Sequence, residues 1–187
     1  MDEDLLLIKK YKSGQSDAFG LLYDRYFDKI YRYVYYKVLN KDTTEDLVSD
    51  IFFKAIQKID TFDQTKGIFS SWLYNIALNS IIDHYRSRKH HADIEDAYDL
   101  SLDERIEEKI DAKDNLQKVS EYLNYLSPKQ REIVILRVWQ EMPYKEIAEI
   151  IGGSEDSAKM AFSRAVKEIR LKFGSVALFL LFMSNFR

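Results

Sequence analysis

Between residues 66 and 89 the chain combines an aromatic ring, two amides and a cluster of cations within one regularly patterned segment. Trp72, Leu73 and Ile76 recur there at helical spacing, which predicts a helix with one buried face. We expect the opposite face to be exposed, although it lacks the Lys and Glu of an ordinary solvated face. Rings stack on unpaired bases, amides hydrogen-bond base edges and cations hold phosphate. The candidate nucleic-acid residues are Lys66, Tyr74, Asn75, Asn79, Arg86, Arg88 and Lys89.

On these residues alone, an amphipathic core helix with a basic end is an equally good interpretation. A second candidate surface comes just before it, because apolar spacing from Leu47 onward predicts a helix over residues 43–59. Asp42 stands three residues before Glu45, which is capping-box spacing. Phe53 lies in the middle of the polar side, and a large exposed ring among acids is typical of a docking surface. That side also carries Asp46, Ser49, Asp50 and Gln57.

The chain after residue 116 contains a predicted helix-turn-helix. Ser127, followed by Pro128 and Gln130, forms a helix start. Ala148 is small where two helices would cross, and Gly152 suits a left-handed turn. The last helix is expected to bury Ala158, Phe162, Ala165 and Ile169, and its candidate phosphate and base contacts are Ser154, Ser157, Lys159, Arg164 and Lys167.

The acids of the last helix act in the opposite sense from its cations. Glu155 and Asp156 in its first turn favour the helix dipole but repel a DNA backbone. Helical hairpins with glycine turns also occur in proteins that bind no DNA, so this motif alone does not decide the function.

Composition narrows the class of protein. The 187 residues contain no cysteine, which excludes a disulfide framework and a cysteine metal site and fits the cytoplasm. The only histidines, His84, His90 and His91, are too few for a metal centre, and we expect none. The net charge is −3, so nucleic-acid binding must depend on local patches.

The expected fold is all-α, because six glycines and two prolines are few among many helix-forming residues. We predict two small helical domains, 1–91 and 116–173, joined by an acidic linker at 92–115; the second is the helix-turn-helix. An apolar tail of unassigned role follows at 174–187. Its apolar run, 176–183, is shorter than the roughly 20 residues that a membrane span needs.

Taken in order, these segments resemble the extracytoplasmic-function sigma factors, the small specificity subunits of bacterial RNA polymerase. Residues 44–52, TEDLVSDIF, are similar to the family's polymerase-docking helix. Residues 69–88, with the run WLYNIALN, are similar to its minus-ten promoter helix. Residues 126–132, LSPKQRE, and 144–148, YKEIA, are similar to its minus-thirty-five domain. The resemblance covers nearly everything between residues 19 and 170.

The resemblance implies a role for each candidate surface. Core polymerase would dock on Glu45, Asp46, Ser49, Asp50 and Phe53. The first domain (region 2-like) would hold the minus-ten element through the candidates on residues 66–89, and the second (region 4-like) would hold the minus-thirty-five element. Partners would be core RNA polymerase, promoter DNA and an anti-sigma factor, with no small-molecule substrate and no cofactor. The polymerase makes the phosphodiester bonds, and the chain itself, with no nucleotide-binding Gly loop, is expected not to be an enzyme.

Two positions depart from the family's pattern. Ser49 stands where the docking helix often has Gln, which could weaken that contact. The recognition helix usually contains Val-Lys-Ser-Arg, whereas this chain has Ala158-Lys159-Met160-Ala161. The missing Arg removes a phosphate or base contact.

Two other functions remain alternatives from the residues. A free-standing helix-turn-helix regulator would bind duplex DNA as a dimer, but it leaves residues 72–88 unexplained and the chain has no evident heptad helix. A protein–protein adaptor with a degenerate helix-turn-helix would explain the absence of Arg at Ala161.

Overall fold

The computed structural model describes residues 3–89, 118–119 and 121–175, without the side chains of 88 and 89. Every regular element within these ranges is helical, and the predicted all-α, two-domain fold is confirmed. The chain divides into two compact units, the first comprising Met1–Lys37 and Lys41–Ala92. The predicted linker at 92–115 and the apolar run at 176–183 lie outside the described residues, and the exact domain boundaries stay predictions.

The described residues of the first unit form four helices. They are α1 (Glu3–Lys12), α2 (Asp17–Val38), α3 (Lys41–Lys58), which continues as a 3-10 turn (Ile59–Thr61), and α4 (Phe69–Lys89). Leu39 has a φ of 49°, so the chain reverses sharply between α2 and α3. The prediction that Asp42 starts α3 is wrong, because the helix begins at Lys41 and Asp42 lies within its first turn.

The core of the first unit fixes which faces of α3 and α4 are outward. Leu47, Ile51 and Ala55 of α3 are buried, as their spacing predicts. Helix α4 contributes Leu73 and Ala77 to the same core. Each fully buried large aliphatic side chain contributes roughly 1.5–3 kcal/mol, so neither helix can rotate without exposing several of them.

Helix α1 is fastened to α2 by a polar cluster. Arg25 forms an ion pair with Glu3 at 2.7 Å and a second one with Asp4, and the Tyr26 hydroxyl donates to Asp4. Asp4 is buried, and its pairing with a cation and a hydroxyl compensates the loss of water around it.

The second unit contains helical residues 118–119 and 121–125 and three longer helices. These are α5 (Pro128–Val134), which continues as a π-helical turn (Ile135–Trp139), α6 (Tyr144–Ile151) and α7 (Glu155–Phe173). The predicted start at Ser127 is confirmed, since its side chain accepts from the Gln130 amide and Gln130 accepts from the Ser127 amide. Gly152, with a φ of 66°, makes the predicted left-handed turn between α6 and α7.

Three buried residues define the inner side of α7: Ala158, Ala165 and Ile169. They pack with a core that includes Ile133 and Ile147 of the preceding helices. The predicted buried side of the last helix is confirmed for these three, whereas Phe162 is only half-buried. The opposite side of α7 is therefore presented outward, as a helix-turn-helix requires.

Candidate docking and nucleic-acid interfaces

The outward face of α3 carries the predicted docking stripe. Asp46 and Ser49 are exposed, and Phe53 retains 60% of its surface. An exposed ring of this size has an apolar area that a partner could cover. Glu45 lies 3.9 Å from Lys41, a weak pairing one turn earlier on the same helix.

The stripe continues into a groove between α3 and α4. Asp50 forms an ion pair with Lys54 at 2.7 Å, and Lys54 donates to the Ser80 hydroxyl of α4 at 3.0 Å. Lys54 therefore links the two helices. The groove encloses about 400 Å³, and Asp46, Asp50, Lys54, Asp83 and His84 are among the residues that line it.

The prediction that Tyr74 lies on the exposed face of α4 is wrong. The side chain is only 1% exposed, and its ring meets the ring of Tyr33 edge-on with centroids 5.0 Å apart. Helix α4 packs against α3, and its rings also contact α2, so its buried face is wider than the apolar residues alone predict. Tyr74 is a core residue and has no free ring face for a base.

The two amides of α4 differ in availability. The Asn75 side chain donates one of its two N–H groups to the carbonyl of Ser71 at 2.9 Å and is half-buried, so it is less available to a base edge. Asn79 is exposed one turn later, as is Arg86 beyond it. The side chains of Arg88 and Lys89 lie outside the described residues.

The loop before α4 is ordered by one carboxylate. Asp63 accepts hydrogen bonds from the Thr65 hydroxyl at 2.7 Å and the Thr65 amide at 2.9 Å. These bonds lower the pKa of Asp63 below its ordinary value. Lys66 lies 3.7 Å from the same carboxylate, but 83% of its side chain remains exposed and can reach a phosphate.

The first turns of α7 show that two predicted DNA residues also serve the helix itself. The Ser154 side chain accepts from the Ser157 amide, which makes it the N-cap, and the Ser157 hydroxyl donates to the Ser154 carbonyl at 3.0 Å. Lys159 pairs with Glu155 at 2.8 Å and lies 3.9 Å from Asp156. The hydrogen bond with Glu155 raises the pKa of Lys159.

Farther along α7, Arg164 and Lys167 are exposed, and neither forms an ion pair with another residue in the described parts of the chain. Sequence reasoning missed Met160 as an outward residue, although it is 54% exposed. Counting about 100° per residue from the buried Ala158 would have placed it there.

Comparison with known proteins identifies both units. The Sigma-70 region 2 model matches residues 22–91, and the Sigma-70 region 4 model matches residues 116–169. RNA polymerase sigma factor NccH of Alcaligenes xylosoxydans xylosoxydans is 30% identical over 168 residues, covering 87% of this chain and 90% of NccH. The chain belongs to the sigma-70 family.

Within that family the chain is an extracytoplasmic-function sigma factor. The ECF sigma factor BldN of Streptomyces coelicolor is 34% identical over 168 residues, covering 87% of this chain. This sigma factor spans 63% of the length of BldN. The sigma factor RpoE of Bartonella quintana, solved in complex with the anti-sigma factor NepR, has 25% identity and a TM-score of 0.63, covering 83% of this chain and 96% of RpoE.

Family membership decides among the functions that the residues left open, namely a sigma factor, a free-standing regulator and an adaptor. Sigma factors direct promoter recognition and transcription initiation by binding core RNA polymerase and promoter DNA, and they are generally non-enzymatic. Region 2 also accounts for residues 72–88, which a free-standing regulator left unexplained. None of the helices in the described ranges is long and apolar enough to cross a membrane.

Proposed function

We propose that this sigma factor uses α3 to dock on core polymerase, α4 with the loop before it to open the minus-ten element, and α7 to hold the minus-thirty-five element. The observation that carries the proposal is the packing of α3 against α4, which leaves Phe53 and Asn79 outward while their helices are held together by a shared core. A sigma factor needs both surfaces at once, because the polymerase must be held where the duplex opens.

The docking surface combines an apolar centre with acids. Phe53 supplies the area to be buried, and Asp46 supplies a charge that selects a basic partner surface. Asp50 must exchange its bond to Lys54 for one to the partner. Ser49 between them is small enough to let the partner approach. Glu45 completes the set at the rim.

The minus-ten contact depends on capturing a base from the non-template strand. Opening and unstacking cost a few kcal/mol for an extruded base, so the protein must offer a site that the base prefers. Exposed Asn79 can read a base edge, while Lys66 and Arg86 can hold the adjacent phosphates. Arg88 and Lys89 extend this basic end in the sequence.

The minus-thirty-five contact depends chiefly on Arg164 and Lys167. Both are outward cations of α7 that no described acid holds, as is Arg170 closer to the end of the helix. Lys159 must exchange its bond to Glu155 for one to a phosphate, which weakens its net contribution. The helix therefore binds the upstream element with fewer effective charges than its sequence contains.

We further propose that the domains run 1–91, 92–115 and 116–173, and that the protein acts in the cytoplasm without catalysing a reaction itself. The relative RpoE is solved with an anti-sigma factor, which supports an anti-sigma partner here as well. Polymerase supplies the catalytic chemistry, so no cofactor is needed in the sigma factor.

The test is competition for core polymerase followed by promoter-dependent transcription. Phe53→Ala should weaken core binding by about tenfold or more, corresponding to about 1.4 kcal/mol. Leu21→Ala is the matched control, because Leu21 is a 57% exposed apolar residue of α2 in the same unit. If the two variants bind core polymerase with equal affinity, the assignment of α3 as the docking helix is wrong. Absence of any stimulated transcription by the wild-type holoenzyme would contradict the proposed function as a whole.

A further inference from the structure

The side of α7 that faces away from the core is not made of its cations alone. Relative to the buried line through Ala158, Ala165 and Ile169, Lys159 points roughly 100° away. By the same count Met160 points roughly 160° away and Lys167 roughly 180° away. Asp156, two residues before Ala158, also points roughly 160° away, so the centre of the outward face in the first two turns holds Asp156 and Met160, with Lys159 on its flank. Because a carboxylate repels the DNA backbone, Met160 is the residue of this pair that can approach DNA favourably.

Ion pairs also hold Lys159 away from the centre of the outward face. Lys159 bonds to Glu155 at 2.8 Å and lies 3.9 Å from Asp156, both in the first turn of the same helix. Ala161, next to Met160, is half-buried and ends at Cβ, so it projects nothing beyond Met160. The first long side chain to reach a groove entered by this face is Met160, which is 54% exposed.

A thioether side chain has one kind of favourable contact on the floor of the major groove. It has no hydrogen-bond donor and only a weak acceptor, so it gains little from the polar edges of the bases. The C5 methyl group of thymine is the apolar group that the major-groove edges present. An unbranched, flexible methionine can settle on that methyl without fixed geometry.

Resting on the proposed role of α7, we propose that Met160 is a specificity-determining residue that reads a thymine methyl in the minus-thirty-five element. The contact buries a methyl-sized apolar group that water otherwise surrounds. Its removal should weaken binding about fourfold, which corresponds to about 0.8 kcal/mol for one such group. This contact replaces part of the discrimination that a bidentate arginine would supply, so the chain should prefer thymine at that position rather than guanine.

The experiment uses the holoenzyme, formed from the full chain and core polymerase. A duplex library randomised in the upstream region is enriched for bound sequences. Each thymine of the enriched duplex is then replaced singly by deoxyuridine, which lacks only the C5 methyl. Wild type should lose about fourfold in affinity at one thymine. With Met160→Ala and with Met160→Gln, which keeps the length of the side chain, thymine and deoxyuridine should bind equally there.

The matched control is Leu171→Ala. Leu171 is 75% exposed on the same helix, three turns beyond Met160, and should keep the wild-type preference for thymine. The proposal is overturned if wild type does not distinguish deoxyuridine from thymine at any position, which is the result expected of an inert surface methionine. It is equally overturned if both Met160 variants still prefer thymine. Failure to enrich any upstream sequence is a distinct result and contradicts the assignment of α7 to the minus-thirty-five element itself.

Discussion

Asn75 and Asn79 are separated by one helical turn but differ in what their amides can do. The Asn75 amide is bonded to the carbonyl of Ser71, whereas Asn79 is exposed to solvent. An amide reads a base edge through one N–H donor and its oxygen, and the bond to Ser71 together with partial burial hinders Asn75 from presenting both. The two residues therefore offer a matched pair for testing the base-capture site on α4.

We expect Asn79→Ala to reduce promoter opening strongly and Asn75→Ala to reduce it little. Opening is measured with a fluorescent base analogue scanned across the non-template strand, with core binding measured in parallel. Lys66→Ala should give an intermediate loss, because it removes a phosphate contact and no base contact. If Asn79→Ala opens DNA as wild type does, the captured base lies elsewhere.

Tyr74 allows a stacking role to be separated from a packing role. Because its ring is buried against Tyr33, Tyr74→Ala should lower the free energy of unfolding by about 3–5 kcal/mol, as for other large-to-small aromatic changes. Tyr74→Phe keeps the ring and should lower it much less. Thermal unfolding measures both. A Tyr74→Ala protein that is as stable as wild type but defective in opening DNA would show that the ring contacts DNA after all.

The ability of Lys159 to bind phosphate is limited by acids of its own helix. Glu155→Gln replaces the carboxylate that raises the pKa of Lys159 with a neutral amide, so the ammonium is held less strongly and can pair more readily with a phosphate. We expect tighter holoenzyme binding to upstream duplex and a salt dependence steeper by about one unit. Glu149→Gln, on α6, is the control for loss of one acid and should change the slope less. An unchanged slope in Glu155→Gln would mean that Lys159 makes no phosphate contact.

At the scale of the element, the stability of α7 depends on its N-cap as well as on its packing contacts. Ser154 accepts from the Ser157 amide and satisfies one of the donors that the helix start leaves open. Ser154→Ala should destabilise the second unit by about 1 kcal/mol, whereas Ser154→Asn should cap nearly as well. Chemical denaturation followed by the signal of the second unit measures this. Weaker DNA binding in a normally stable Ser154→Asn protein would show that the hydroxyl contacts DNA in addition.

Helices α3 and α4 behave as one element in functional terms. Lys54 reaches from Asp50 of α3 to Ser80 of α4, and the buried residues between the helices prevent rotation of either. The proposed docking stripe and the candidate base-reading residues are therefore held in one rigid relation. Under the proposed docking, a polymerase surface that binds α3 also positions Asn79.

At the scale of the whole molecule, we expect the net charge of −3 and the acidic residues at 92–115 to weaken DNA binding by the free protein. Linker carboxylates compete with phosphate for the same basic side chains. We expect the full chain with its linker Asp and Glu changed to Asn and Gln to bind promoter duplex more tightly than wild type. The measurement is duplex affinity across a salt series without polymerase. Identical affinities would assign the linker no shielding role.

Much of this protein follows from its sequence alone. Helical periodicity, the cap at Ser127 and the turn at Gly152 are local properties, set by a few neighbouring residues and their backbone preferences. The order of the motifs is likewise written in the chain, which is why the sigma-factor family could be predicted before any contact was known and is confirmed by the comparisons.

The availability of individual side chains was decided by tertiary packing. Tyr74 is buried because α4 meets rings of α2 as well as helix α3, and no pattern within α4 reveals that second neighbour. Periodicity shows that a helix has a buried face, but the width of that face depends on how many neighbours cover it. The residues left over for polymerase and DNA are consequently a property of the folded chain.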